Sequence, residues 1–470
     1  MAKNLRTFLK QLEENDLLLK IDKEVDPDEN MGALNWEAVK YQKKALQCNN
    51  IKGHPGWKSI SGVVGTREIA AVALETSVEN TVHTLSKNMR NQEELPKCKM
   101  VDSGPVHEVV YSGNEVNLDE LPMNVISEID NGRYLGSGFL VCRDPETGIR
   151  NLSILRHQYK GKDKLGIMMV AGRHARKIFE KYKALNKPMP VAIVNGHHAA
   201  VVLASTWTTS FDVDEYEIAN VLLGETMELV KCKTQDIEVP AEAEVVIEGE
   251  IPPDVLEEEG PFGEHSGCTI AGAGLNEIIK VTAITHRKNP IFYQVTEGPS
   301  TDGAVLDALP MEVELFNRLK DVGGGPDLKT VVVHEDAGGG HVVIIKMIPS
   351  IEGEVRGVLM AALSSGYLHP KIAIAVDDDV DPYDPTEILW SLSTKVNPIE
   401  HTFIIDGTRG HSLDSILPQI SPKDENPVIR VGSRMGIDAT RPPLSQPEYR
   451  YELTRIFPQG HGKAALKDFL

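Results

Sequence analysis

Apolar residues near the start of the chain recur at helical spacing. Leu5, Phe8, Leu9 and Leu12 share one face among charged neighbours, predicting an amphipathic helix that feeds a strand-like run at 17–22. Through about residue 115 the pattern is mixed α/β. From 116 the period shortens. Segments 138–142 and 151–155 read as strands around the turn 144–148. Short apolar runs follow at 189–194 and 199–204, 244–250 alternates in part, and 278–285 and 291–295 bracket the turn 287–290. A helix is expected over 215–230. Many short strands separated by turn residues predict a barrel or sandwich.

Beyond about residue 300, α/β alternation returns. Segments 329–333, 342–348 and 371–376 read as strands, the last running into Asp377-Asp378-Asp379. Asp384, Pro385 and Glu387 predict a capped helix through Trp390, with Glu387 reaching back to the cap. After 441, Pro442-Pro443 opens a charged, partly apolar arm expected to pack on something else, such as another subunit. The expected division is 1–115, 116–300, 301–440 and 441–470. A chain of 470 residues is too long for one ordinary core.

Charge narrows the partners. The net charge of −20, without a basic tract, argues against nucleic acid and against an anionic membrane surface. An acidic protein that binds a phosphorylated cofactor needs a local device such as a metal ion. Cys48, Cys98, Cys142, Cys232 and Cys268 are scattered, with no CxxC pair, which predicts reduced thiols and a cytosolic home. The N-terminus lacks the apolar core of a signal peptide, and no apolar run approaches the ~18 residues needed to span a bilayer.

The most informative stretch is Glu259-Gly260-Pro261-Phe262-Gly263-Glu264. Gly260 and Gly263 permit angles other residues resist and Pro261 fixes φ, so this is a shaped loop that can aim two acids at one point. Paired carboxylates in different environments split their pKa values, which equips them for proton transfer. A tight turn with two solvated acids is the alternative. In Asn151-Leu152-Ser153-Ile154-Leu155-Arg156, Arg156 closes an otherwise apolar strand face; it either clamps a carboxylate or pairs with a surface acid. His174, in Ala171-Gly172-Arg173-His174, is placed near a helix start. Asn151, His174 and Glu215 would offer an O, N, O set for a hard or borderline divalent ion, though their spacing does not establish that they meet. The run Asp377 to Asp381 is either a metal site or a solvated loop. The triple glycines at 323–325 and 338–340 lack P-loop and GxGxxG spacing and read as loop glycines.

Together these stretches resemble the UbiD family of prenylated-FMN-dependent decarboxylases. The resemblance also takes in Ala204-Ser205-Thr206-Trp207, Glu228 to Cys232, Glu248-Gly249-Glu250, Asp378 to Asp381, Leu389 to Thr394 and Arg409-Gly410-His411, and so covers most of the chain. It implies a mixed α+β protein: an N-terminal α/β domain, a central split β-barrel flavin-binding domain of flavin-reductase type, and a C-terminal α/β oligomerisation domain with a helical arm. It implies prenylated FMN bound around Asn151, Ser153, Ile154, Leu155, Arg156, Arg173, His174, Ser205, Thr206, Trp207 and Glu215. Mn²⁺ (or Mg²⁺) would sit on Asn151, His174 and Glu215, and K⁺ near Ala204, Ser205, Trp207 and Glu215. Catalysis would fall to Arg156, Glu259 and Glu264, with Val170, His411 and Leu413 lining the substrate pocket.

The implied reaction is reversible non-oxidative decarboxylation of an aromatic or heteroaromatic acid through a covalent adduct with the cofactor, which acts as electron sink. Arg156 would orient the carboxylate and Glu264 would deliver the proton. The implied partners are the acid, CO₂, a flavin prenyltransferase that supplies the cofactor, and further copies of the chain in a dimer or hexamer. His411 stands where cinnamate-type members carry Phe, and Ser364-Ser365-Gly366-Tyr367 replaces a Lys-Ala-Gly-Tyr segment. A cinnamate-like acid, an aryl thioester acid, a non-catalytic flavin carrier and a flavin-free metal hydrolase on Asp377 to Asp381 remain as alternatives.

Overall fold

The computed structural model describes residues 2–92, 94–269, 273–411, 413–417 and 431–460, together with 463, 464, 466 and 469. The chain divides into two compact units: 1–314 with 335–341 and 409–431, and 315–334 with 342–408 and 432–470. Among the described residues no helix is long and apolar enough to cross a membrane.

In the first unit the amphipathic helix runs Leu5–Glu14 and buries Leu5, Phe8, Leu9 and Leu12, the four residues its periodicity marks. Asn4 caps it in a capping box with Thr7. A four-stranded sheet follows in the order Leu18–Ile21, Ala45–Cys48, Lys58–Ser61 and Ile291–Gln294. The last of these comes from far along the chain and pairs in parallel with Lys58–Ser61.

A ten-stranded sheet forms the centre of the unit. Its path runs Tyr134–Leu135, His157–Tyr159, Lys164–Ile167, Gly274–His286, Val245–Ile251, Met189–Asn195, Phe139–Arg143, Arg150–Ile154. Leu256–Glu259 and Val109–Ser112 also pair antiparallel with the long strand Gly274–His286. Its central strands are buried on both faces: Leu140, Val191, Ile193 and Ile247 join one core, and the alternate residues Phe139, Val141, Ala192, Val194 and Val246 join another.

Two expectations are corrected. The apolar run 199–204 is a helix, Ala199–Ala204, not a strand: the His198 side chain accepts from the Ala200 N–H, and the segment is buried all round. A short, fully apolar run carries no period that separates the two states. The helix expected over 215–230 stops at Leu223, because Gly224 takes φ +68° and turns the chain into the strand Glu228–Lys231.

The second unit is a five-stranded sheet in the order Asp327–Val333, Val342–Ile348, Ile372–Val376, Val431–Ala439, Thr402–Arg409. Asp384 caps the helix Pro385–Lys395 by accepting from the Thr386 N–H. Glu387 does not return to the cap as expected. Arg455 takes its carboxylate, and the Asp384 N–H goes to the Asp381 carbonyl.

The acidic run after Ile372–Val376 is not merely solvated. Asp377 is fully buried against Lys395 Nζ at 2.8 Å and accepts from Arg441 and Arg450; Arg441 also reaches Asp378. Cations of the protein itself therefore pair with Asp377, Asp378 and Asp379. The segment beyond 441 is thereby tied to this unit, with a short helix at Pro447–Glu452; residues 461, 462, 465, 467, 468 and 470 lie outside those described. Lys395→Ala should destabilise the protein by about 1.5–3 kcal/mol, the scale of a hydrogen bond to a charged group, because Asp377 loses its buried ammonium but keeps Arg441 and Arg450. Urea melts that coincide with wild type would show the pair to be dispensable.

Candidate active site

The strand Arg150–Ile154 and the helix Glu215–Leu223 form the first cluster. Asn151 and Glu215 meet: Asn151 Nδ2 donates to Glu215 Oε1 at 3.0 Å, and Ser153 Oγ donates to Asn151 Oδ1 at 2.9 Å. Glu215 also accepts from the Leu152 N–H and from Thr209 Oγ1. These donors are all neutral. The nearby Arg150 is engaged by Asp214 and Glu238. Glu215 is 1% exposed, and burial pushes its carboxyl up to about 8. A buried carboxylate with no cationic partner is the environment a metal ion would complete.

His174 opens the helix His174–Ala184, which packs, like Glu215–Leu223, on the strand Arg150–Ile154. Its ring stands edge-on to Phe211 at 5.0 Å. Burial, then Lys177 and Arg173, hold it below its ordinary value, favouring the neutral form that ligates metals. No hydrogen bond joins it to Asn151 or Glu215. Among the described residues no group of three or more His, Cys, Asp or Glu is set for a metal; the proposed set holds only two residues of those types. The donor types, an amide oxygen, an imidazole nitrogen and a carboxylate, are nonetheless ones a divalent ion would accept.

At the end of Ala199–Ala204 the chain turns sharply. The Ala204 carbonyl accepts from the Trp207 N–H at 3.1 Å, Ser205 Oγ donates to the Val202 carbonyl, and Thr206 Oγ1 to those of Leu203 and Leu306. Trp207 Nε1 is fixed by Glu314 Oε1 at 3.1 Å. Helix-end carbonyls carry partial negative charge, which suits a monovalent cation.

The second cluster joins the two informative stretches. Arg156 lies just past the strand Arg150–Ile154, and Glu259 ends the strand Leu256–Glu259. Arg156 Nε and Nη2 grip Glu259 Oε1 and Oε2 at 3.0 and 2.9 Å, while Nη1 donates to Glu264 Oε1. Of the two readings of Arg156, the clamp is the one observed. Burial penalises the guanidinium, but Glu264 and Glu259 outweigh it and keep it charged. Its charge also lies 5.1 Å above the Phe262 ring, which packs on Tyr134. Three of the five guanidinium N–H donors face the glutamates, leaving two for a substrate carboxylate.

The segment 127–134 braces the loop. Asp130 Oδ1 accepts from the Gly263 N–H at 2.8 Å, Asn131 Nδ2 donates to the Gly260 carbonyl, and Tyr134 OH donates to Glu259 Oε1 at 3.2 Å. Asn276 adds a bond to Glu259 Oε2. Gly260 adopts φ +90°, and a Cβ at Gly263 would stand 2.5 Å from Ser127 Oγ, so neither position admits a side chain. Glu264, 14% exposed, is raised above its ordinary value, chiefly by burial and against the pull of Arg156 and His265. One acid is thus locked to Arg156 by two bonds, and the other is biased toward holding a proton.

Of the residues expected at the pocket, His411 is buried, its Nδ1 accepting from the Leu413 N–H at 3.1 Å. His341 Nε2 approaches the Leu413 carbonyl. Arg409 comes within 3.8 Å of where a Gly172 Cβ would be, which sets this segment beside the turn after Val170, whose carbonyl accepts from the Arg173 N–H. Ile154 and Leu155 are half-buried. The braces Asp130, Tyr134 and Asn276 were not anticipated; they approach from distant segments and carry no local signal.

Family models describe three stretches of the chain: the 3-octaprenyl-4-hydroxybenzoate carboxy-lyase N-terminal domain at 9–89, the Rift-related domain at 99–300 and the C-terminal domain at 304–439. The chain therefore belongs to the UbiD family of carboxy-lyases, and its kinship is with decarboxylases. It is 32% identical to a phenolic acid decarboxylase of Sedimentibacter hydroxybenzoicus, over 95% of this chain and 93% of that one. The UbiD-class enzyme HmfF of Pelotomaculum thermopropionicum, solved in complex with FMN, superposes with a TM-score of 0.88 at 34% identity, covering 99% of this chain and 100% of that one. An evolved dimeric form of the same enzyme, with prenylated FMN, gives 0.86 at 32% identity and full coverage of both chains.

Proposed function

We propose that this chain catalyses reversible, non-oxidative decarboxylation of an aromatic or heteroaromatic carboxylic acid, with prenylated FMN held through a divalent ion. The observation that carries the reading is Arg156 fixed between two carboxylates of unlike environment, on a loop braced from three sides. A flavin carrier would need only the phosphate end of the site. When bound, the prenylated flavin supplies an electrophilic centre that takes up the electron pair left by CO₂.

The residues divide the remaining work. The two free N–H groups of Arg156 orient the substrate carboxylate. Glu259 holds the guanidinium at a fixed angle. Glu264, whose carboxyl burial raises above its ordinary value, gives its proton to the carbon that loses CO₂, and takes one back in the carboxylation direction. Asn151, His174 and Glu215 would hold Mn²⁺ or Mg²⁺, whose charge would bind the cofactor phosphate, the turn Ala204–Trp207 would hold K⁺, and Val170, His411 and Leu413 would line the pocket for the acid. The aromatic acid follows the phenolic acid decarboxylase relative, and the choice of a dimer over a hexamer follows a neighbour described as an evolved dimeric form, together with the exposed Tyr449, Tyr451 and Ile456 of the arm. Five free cysteines fit a cytoplasmic setting. In this reading 116–300 carries the chemistry and 301–440 the contacts between copies.

The test is to co-express the chain with a flavin prenyltransferase and take the absorbance spectrum and mass of the extracted cofactor. Prenylated FMN is expected; protein that retains no flavin under these conditions contradicts the reading. Glu215→Ala and His174→Ala should each lose metal and flavin together, because an acidic protein offers the phosphate few other cations. Full flavin occupancy in either variant after dialysis against chelator would remove the ligand assignment.

A further inference from the structure

The loop that carries Glu264 does not end at its contact with Arg156. The next residue, His265, pairs with an acid of its own: its Nε2 lies 3.1 Å from Asp307 Oδ2, an ion-pair contact rather than an aligned hydrogen bond, on the second turn of the helix Asp302–Leu319. The fit is close. A Cβ at Gly303 would stand 2.7 Å from His265 Cβ and 2.4 Å from Glu297 Oε2, and one at Gly339 would stand 3.0 Å from the imidazole edge. Glu297 Oε2 is buried and has no hydrogen-bond partner among the described residues.

We infer that His265 is a positioning residue for Glu264: held by Asp307, it is a second fixed cation beside the acid and, with Arg156, sets where the carboxyl stands and how readily it keeps its proton. The inference rests on the assignment of Glu264 as proton donor. It assigns work to groups outside the Arg156 clamp.

The charged surroundings agree in sign. Burial opposes charge on His265, but Asp307, with Glu297 and Glu264, pushes it up to about 9, so the ring is an imidazolium at neutral pH. Burial pushes Glu297 up to about 8 against the pull of His265, so it is largely uncharged there. Facing Glu264 are Arg156 and His265, which lower it, and Glu259 and Asp130, which raise it. On the Gly339 side, Glu335 and Asp336 are engaged by Arg67 and Ser300. A cation beside a carboxyl lowers its pKa; a carboxylate beside an imidazole raises the imidazole's. Loss of either His265 or Asp307 therefore leaves Glu264 protonated to higher pH.

The experiment compares wild type, His265→Gln and Asp307→Asn, each as cofactor-loaded enzyme. CO₂ release and solvent deuterium exchange are followed across the alkaline limb. Both variants should move that limb upward by roughly half to one pH unit. A merely structural role would lower the rate at all pH values and leave the limb in place. A readout independent of turnover is NMR of the cofactor-free protein labelled at histidine Cε1, with His265→Gln identifying the signal. The wild-type ring should titrate near 9 and the Asp307→Asn ring lower. Asp307, 30% exposed, is the milder substitution should His265→Gln fold poorly. A stationary limb in both variants, or a wild-type ring titrating near 6.5, overturns the inference. Near wild-type exchange in Glu264→Gln would instead overturn the assignment beneath it, so the two failures are distinguishable.

Discussion

Protein produced in a host without a flavin prenyltransferase should fold normally and release no CO₂, whereas the same chain co-expressed with that enzyme should be active. Loss of CO₂ from an unsaturated carbon leaves an electron pair that must be delocalised or it recaptures CO₂. The side chains of the site cannot take it. Arg156 is a guanidinium tied by three hydrogen bonds, Glu259 is locked onto it, and Glu264 can only exchange a proton. Proton transfer by a positioned acid contributes about 10²–10⁴-fold, far short of what an unassisted decarboxylation at such a carbon requires. Folding draws on different resources, the buried apolar cores that include Val191, Ile193 and Ile247 in one unit and Val332, Ile344 and Ile374 in the other. The measurement is CO₂ release from the two preparations at matched concentration, with circular dichroism to verify the fold. Equal rates would eliminate the mechanism.

Much of this architecture was legible because it is local. The first helix announces itself by four apolar residues on one face, and all four are buried. The loop 259–264 is marked by its glycines and proline, and its two acids do converge on Arg156. What failed was local ambiguity or distant contact. The run 199–204 has no polar position to give it a period, so helix and strand looked alike. The length of the helix after Asp214 turned on one glycine, Gly224, whose positive φ a sequence pattern does not reveal. Asp377 to Asp381 drew a metal reading from its charge, but its partners Lys395, Arg441 and Arg450 come from 18 to 73 residues away. Tyr134 and Asn276 brace Glu259 from separate segments and are ordinary in composition. His265 is the exception: an ionisable residue adjacent to the acid is visible in the sequence, and only its Asp307 anchor needed the structure.

Glu264→Gln should slow CO₂ release by roughly 10²–10⁴-fold, the usual contribution of a positioned general acid. Glutamine keeps the size of the side chain, and its carbonyl can still accept from Arg156 Nη1, so the loop should hold its shape. What it lacks is the carboxylic proton. Cofactor binding should survive, because Glu264 is not among the proposed metal ligands. Solvent deuterium incorporation into the product should slow in parallel, since protonation and its reverse use the same group. The pH dependence has a definite sign. A general acid works in its protonated form, so activity falls as pH rises through its pKa; burial raises that of Glu264, which carries the alkaline limb above the ordinary carboxylate range. Glu259→Gln should also be damaging, for a different reason. It loses the charge of the bidentate grip that fixes Arg156 Nε and Nη2, so the substrate carboxylate is misplaced while the proton donor remains. The two variants separate when each carries full cofactor: exchange into product already bound should be hit harder in Glu264→Gln, and carboxylate recognition harder in Glu259→Gln. Near wild-type exchange in Glu264→Gln would place the acid elsewhere, and His411, buried beside Leu413, is then the next group to substitute.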